Sequence, residues 1–294
     1  MREPDGIANV LTVDVEEYYH GVDFAEALSA EVRERLPSRV VVETERLLAL
    51  LERHDARATF FTLGVVAERH PRLVRAIAER GHEVASHGWD HTHVRALGHE
   101  RFRVDIRRAK RALEAATGRA VRGYRAPNYS IGPDTPWVFD ILAEEGYAYD
   151  SSVHPIVHDR YGMPQAPRFP YLVGLRDGPG FWEVPVGTAR LGRTNLPLGG
   201  GFFRLFPCPL VAAAIESVNR RERQPVVLYV HPWELDPDQP RPPMRRLQRF
   251  RHYVGLERAE KKLAALLARF RFTTVVAAFA DLAPPRRSVA ASAA

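Results

Sequence analysis

One unit recurs along this chain: an amphipathic stretch, a glycine or polar turn, then a short apolar run. "VVETERLLALLERHD" leads into "RATFFTLG", and "VVAERHPRLVRAIAER" stops at Gly81 before "HEVASH". The same order returns in "ERFRVDIRRAKRALEAATG" before "VRGYRAP" and in "DTPWVFDILAEEG" before "YAYDSS". It returns again in "CPLVAAAIESVNRRE" before "PVVLYVH" and in "LERAEKKLAALLARF" before "FTTVV". Apolar residues at helical spacing alternating with short buried runs predict parallel strands joined by crossover helices. With "NVLTVDVEE" at the start the chain has about seven strands. That many units in 294 residues favours an α/β barrel over an open sheet.

Two regions break the rhythm. Residues 152–206 are rich in proline, glycine and aromatics, and residues 232–250 form a proline-rich excursion. Neither has its own apolar periodicity, so both read as loop elaborations over one face of a single barrel domain spanning 8–282. The last residues, 283–294, read as a disordered tail. The start of the sequence meets acidic residues before any apolar core of signal-peptide length, and no run of 18 apolar residues occurs. A cytoplasmic protein without a membrane span is therefore expected. The net charge of +6 comes almost wholly from arginine, which suits planar anions. The arginines are scattered rather than interleaved with aromatics, which argues against nucleic acid as a partner. The single cysteine, Cys208, excludes an internal disulfide and reads as a small core residue. Oligomeric state is not legible.

Barrels of this kind place their chemistry at the C-terminal ends of the strands. The ionisable residues at those ends are Asp14, Glu16, His87, Arg125, Asp150, Glu183 and His231. His87 and His91, in "EVASHGWDH", are spaced as two metal ligands or as two solvated histidines. An acid at another strand tip would complete a set of two imidazoles and a carboxylate, the donor arrangement of hydrolytic zinc and of iron(II) oxygenases. The βα rhythm opposes the oxygenases, which are usually antiparallel barrels. Asp14 and Glu16 share one side of an extended strand, so both can reach the barrel mouth. The glycine run 199–201 lacks the Lys-Ser/Thr ending of a phosphate loop.

"TVDVEE", "SHGWDH", "RAPNYS", "DSS" and "LYVHPWE", in that order, resemble the polysaccharide deacetylase family. "HDRYGMP", "LPLGGGFFRLFP" and "VHPWELDPDQP" resemble its subgroup found with bacterial exopolysaccharide and exosortase systems. The resemblance implies a distorted (β/α)7 barrel and a divalent metal, zinc first, held by Glu16, His87 and His91. It implies Asp14 as catalytic base, although Asp14 as ligand or Glu17 in place of Glu16 are the alternatives. Val15 stands where the commoner pattern has a second aspartate. Glu17 itself reads as a solvated turn residue. The family roles of Arg125 and Tyr129 are to pair with the base and to donate a backbone N–H to the oxyanion. His231 would be the general acid, and Leu228 would line the acetyl pocket. Trp182 and Glu183 would lie near the groove, and Asp150 would orient His231 or support the site. His93 is expected to face elsewhere; His20, His154 and His158 stay unassigned. The implied reaction is removal of N-acetyl groups from an N-acetylated oligo- or polysaccharide. The alternatives are hydrolysis of a small cyclic amide and a carbohydrate-binding pseudoenzyme.

Overall fold

The computed structural model describes residues 6–178 and 180–280, so the tail expected at 283–294 lies outside the described residues. The strands in chain order are β1 (Asn9–Val15), β2 (Thr59–Thr62), β3 (Glu83–Ser86), β4 (Gly123–Tyr124), β5 (Tyr149–Asp150), β6 (Tyr171–Val173), β7 (Phe181–Glu183), β8 (Thr188–Leu191), β9 (Thr194–Pro197), β10 (Val227–Val230) and β11 (Phe272–Thr273). Seven of them run parallel in the order β10–β1–β2–β3–β4–β5–β7. β11 pairs with the first residues of β1, β6 lies antiparallel on β7, and β8–β9 form a separate hairpin. This is the expected α/β fold, a curled parallel sheet of the distorted (β/α)7 barrel type.

No ladder joins β7 to β10 among the described residues. Beyond β7, the Val184 and Val186 amides turn back to Asp150 O (2.8 Å) and Val153 O (3.0 Å). The residues between and after them face β10. There Pro185 has no N–H to give, and Gly187 N–H makes the crossing to Val227 O at 2.8 Å.

Alternation along β1 explains how the barrel positions a site. Leu11, Val13 and Val15 turn outward into the large core shared with the helices. Val10 turns inward and packs with Phe61, Ala85, Tyr149, Val227 and Val275 to fill the lower barrel. Thr12 and Asp14 share the inward face, so the apolar filling gives way to polar groups at the C-terminal mouth. The outer layer includes Leu256–Arg269, which buries Leu256, Ala259, Leu263, Leu266 and Leu267 at helical spacing. Lys262 on that helix is also buried, and its Nζ donates to Phe203 O (2.8 Å) and Arg204 O (3.0 Å). It thereby anchors the short helix Gly200–Leu205.

Glu17 is not the solvated turn residue the sequence suggests. It is buried, and its Oε2 accepts from Arg39 N (2.9 Å) and Val40 N (3.3 Å) at the start of helix Val40–Arg53. A carboxylate there satisfies helix amides left without internal partners. The two irregular regions hold more regular structure than expected: β6 to β9, Gly200–Leu205, the 3₁₀ turn Pro232–Leu235 and helix Arg246–Tyr253. These pieces are too short to show a periodicity. No helix among the described residues is long and apolar enough to cross a membrane.

Candidate active site

The polar tips of β1, β3, β4 and β10 converge on a cleft of about 730 Å³. At its base, donor atoms of Glu16, His87 and His91 all lie within 4.8 Å of one another. Glu16 Oε2 sits 2.7 Å from His91 Nε2 and receives no other hydrogen bond, while Oε1 accepts from Trp233 Nε1 at 3.2 Å. His87 Nδ1 is 2.8 Å from Arg125 O. A carbonyl can only accept, so the proton sits on Nδ1 and Nε2 keeps its lone pair. Burial depresses the His87 pKa to about 4, with His91 adding to the effect against Asp14 and Glu16. Burial alone would raise Glu16, but His91, His231 and His87 hold it well below the usual carboxylate range. A neutral imidazole lone pair, a second imidazole and a buried anionic oxygen short of donors fit a divalent cation. His91, Asn128 and Tyr129 hold positive φ of 69°, 52° and 52°, unfavourable for side chains with a Cβ and concentrated here at the cleft.

Arg125 is fully buried. Its Nη1 donates to Asp14 Oδ1 and to Thr12 Oγ1, both at 2.8 Å, and its Nε and Nη2 donate to Ser151 O and Ser151 Oγ, both at 2.9 Å. One carboxylate oxygen is therefore locked, and Asp14 Oδ2 faces His231 Nε2 at 3.9 Å. A second buried pair supports His231. Glu234 Oε2 lies 3.6 Å from His231 Nδ1, and Glu234 Oε1 accepts from Arg204 Nε at 2.8 Å. Arg204 is held in turn by the carbonyls of His252 (2.7 Å) and Val254 (2.8 Å). Burial works against a charged His231, yet Glu234, then Glu16 and Asp14, outweigh it and push its pKa up to about 9.

Several expected residues stand elsewhere. Leu228 packs in the outer core, because β10 turns Val227, Tyr229 and His231 inward and leaves Leu228 facing the helices. Tyr229 takes the cleft position instead. Its ring lies 5.9 Å from that of His231 and 5.2 Å from that of Tyr129. A Cβ added at Gly199 or Gly200 would come within 2.1 or 2.5 Å of the Tyr229 side chain, so the glycine run makes room for this ring. Trp182 packs with the lower barrel filling and does not line the cleft. Tyr129 lines the cleft, and its amide donates to Ala126 O at 3.1 Å. His93 does face the cleft, where its Nε2 lies 2.8 Å from Asn128 Nδ2. His158 lines it too, whereas His154 is buried behind Tyr161, and His20 stacks on His91 at 5.8 Å.

Asp150 does not touch His231, whose carboxylate partner is Glu234. Asp150 accepts from Ser152 N (3.0 Å) and Ser152 Oγ (2.6 Å), and Glu183 Oε1 accepts from Val153 N (3.0 Å). Both carboxyls are fully buried and brace this turn. Burial, and then the charge of Asp150, raise Glu183 well above the usual range. A folded-state pKa above the unfolded one contributes stability that is complete below the unfolded value, near 4.3, and is lost as pH rises toward the folded value. Thermal stability should therefore decline as pH rises above about 4.3 for the wild type, and less steeply for Glu183→Gln. Parallel declines would remove the raised Glu183 pKa from the account.

Fold and site together define a class: a parallel α/β barrel with a two-histidine, one-carboxylate centre beside an arginine-locked aspartate and a carboxylate-backed histidine. Residues 39–149 match the polysaccharide deacetylase family, and residues 151–280 match a domain of unknown function (DUF3473). The polysaccharide deacetylase match thus covers residues 39–149 and not the whole chain. Asp14 and Glu16 precede the first matched segment, and His231 lies in the second. β5, at the end of the first segment, pairs with β7 in the second, and β1, ahead of both, pairs with β2 in the first and β10 in the second, so one sheet serves both. A chitooligosaccharide deacetylase of Sinorhizobium fredii is 36% identical over 120 residues, 40% of this chain and 53% of that protein. This chain thus matches only about half the length of that relative. A solved structure from Mycobacterium smegmatis assigned to the polysaccharide deacetylases shares the fold with a TM-score of 0.54 at 23% identity, covering 93% of this chain and 90% of that one. An allantoinase does so with a TM-score of 0.58 at 17% identity, covering 94% and 90%. At these identities both show the fold alone.

Proposed function

We propose that this protein is a metal-dependent N-deacetylase acting on an N-acetylated oligosaccharide of a bacterial polysaccharide, in the first instance an exopolysaccharide or its precursor. The observation that carries the reading is the meeting, in one cleft, of an arginine-locked Asp14 and a Glu234-backed His231 beside the Glu16–His87–His91 donor set. Zinc suits that set. When bound it would supply Lewis acidity toward the amide carbonyl and toward water. Asp14, with Oδ1 fixed by Arg125, takes the proton of the attacking water on Oδ2. The C–N bond breaks as His231 Nε2 delivers a proton to the departing nitrogen, giving acetate and a free amino sugar. The buried Arg125 and Arg204 keep both groups aimed, so little reorganisation is needed.

The roles separate experimentally. His231→Gln is expected to lose on the order of 10²-fold or more on an N-acetyl substrate, whose amine leaves only when protonated. It should lose much less on an acetyl ester whose alcohol leaves easily. Equal losses on both would assign His231 to positioning. Release of acetate from N-acetylated chitotetraose by the zinc-loaded protein tests the reaction itself. Cleavage of a small cyclic amide without acetate release would replace this reading with the ring-opening alternative, and saccharide binding without turnover would make the protein a pseudoenzyme.

A further inference from the structure

The outer wall of the cleft does not look like a surface built for sugar hydroxyls. Val157, Phe202, Leu205, Leu247, Phe250 and Val254 line it, contributed by three separate chain segments. Val157 is 84% exposed, Leu247 59%, Phe250 53% and Leu205 46%, which makes them four of the eleven large apolar side chains most exposed among the described residues. Apolar side chains lining one part of a cleft suit an apolar part of its ligand. The charged groups along the same wall are already spent on each other. Arg251 Nη2 donates to Asp159 Oδ2 at 2.8 Å, and Arg160 Nη2 donates to Asp23 Oδ1 at 2.9 Å. A free saccharide would find few unsatisfied donors or acceptors there, whereas an alkyl chain needs none.

We infer that the substrate carries a hydrophobic aglycone, which lies along this wall while its sugar occupies the metal-ligand end of the same cleft. The inference rests on the deacetylation reading and adds the substrate's chemical class to it. Helix Arg246–Tyr253 also exposes Arg246 and Arg249, with no ion-pair partner among the described residues, beside Leu247 and Phe250. An anionic bilayer would suit that combination. The apolar side chains, however, line a concavity continuous with the donor set, and a bilayer surface is met by a convex face.

The test compares acetate release from N-acetylated chitotetraose and from its octyl glycoside below the micelle concentration, using the zinc-loaded protein. The octyl glycoside should show at least about tenfold higher kcat/KM, carried mainly by KM, the gain from burying about two methylenes. In the exposed double variant Leu247→Ser/Phe250→Ser that ratio should fall to about one, whatever the absolute rates. Equal kcat/KM for the two substrates in the wild type overturns the inference, as does an octyl advantage that survives in the variant. Sedimentation with phosphatidylglycerol vesicles that depends on Leu247 and Phe250, without any octyl preference, assigns the wall to a bilayer and overturns it too. If neither substrate releases acetate, the deacetylation reading fails on its own. Calorimetric titration with the two compounds then still decides the aglycone, through the same tenfold difference and its loss in the variant.

Discussion

Protein carrying His87→Ala is expected to be purified folded but without stoichiometric divalent metal, and to release acetate at least about 10³-fold more slowly than wild type. The expectation starts from ligand number. Three side chains, Glu16, His87 and His91, supply the whole candidate donor set among the described residues, so loss of one leaves two. It is strengthened by what holds His87: its Nδ1–H is tied to Arg125 O at 2.8 Å, which aims Nε2 at the centre. Disturbing only such an orienting contact typically costs 10- to 100-fold in metal affinity or activity, and deleting the ligand should cost more. The readouts are metal content per chain by plasma mass spectrometry, acetate release, and circular dichroism to confirm folding. Full metal content in the variant would remove His87 from the ligand set, and with it the account of this cleft as a metal centre.

Asp14→Asn is expected to keep its metal and lose roughly 10²- to 10⁴-fold in rate, the usual worth of a positioned general base. Asparagine can still accept from Arg125 Nη1 but cannot take a proton from water. Asp14→Ala is the less informative change. It would leave the Arg125 guanidinium fully buried without its only carboxylate partner in the described structure. Breaking a buried pair by removing one member costs about 3–5 kcal/mol, a large share of the about 5–15 kcal/mol that holds a domain together. Both variants remove the counter-charge of the buried guanidinium, but asparagine keeps an acceptor for Arg125 Nη1, so the asparagine variant should melt below wild type and the alanine variant lower still. If Asp14→Asn instead loses the metal, the two acids exchange roles, and Glu16 becomes the candidate base.

The residues at issue were partly legible before any coordinates. Asp14 and Glu16 stand two apart, and period-two alternation in a strand puts them on one face whatever the rest of the chain does. The same rule applied to β10 places Tyr229 with His231 and excludes Leu228, so that signal was present in "LYVH". Glu234 was also within reach. It stands three residues after His231 with Pro232 opening the turn, and Glu234 Oε2 accepts the His231 amide at 3.0 Å. The reading of Glu17 as solvated failed for a different reason: its partners Ser38, Arg39 and Val40 lie about twenty residues on, beyond any local pattern.

What the sequence determined by itself was the set of things that local spacing controls. The helix–turn–strand rhythm specified a parallel α/β architecture, and strand parity carried the polar tips to one end of it. Tertiary structure alone decided everything that depends on distant segments meeting. It brought Arg204 from helix Gly200–Leu205 onto Glu234, and closed the barrel at Gly187 rather than by a ladder. It sent Trp182 into the lower barrel and turned the Tyr129 amide onto Ala126. It also assembled an apolar wall from three segments that share no pattern. Spacing along a chain constrains which face a side chain takes, but not which distant groups will neutralise, cap or cover it, because those depend on how elements with similar apolar faces pack together in three dimensions.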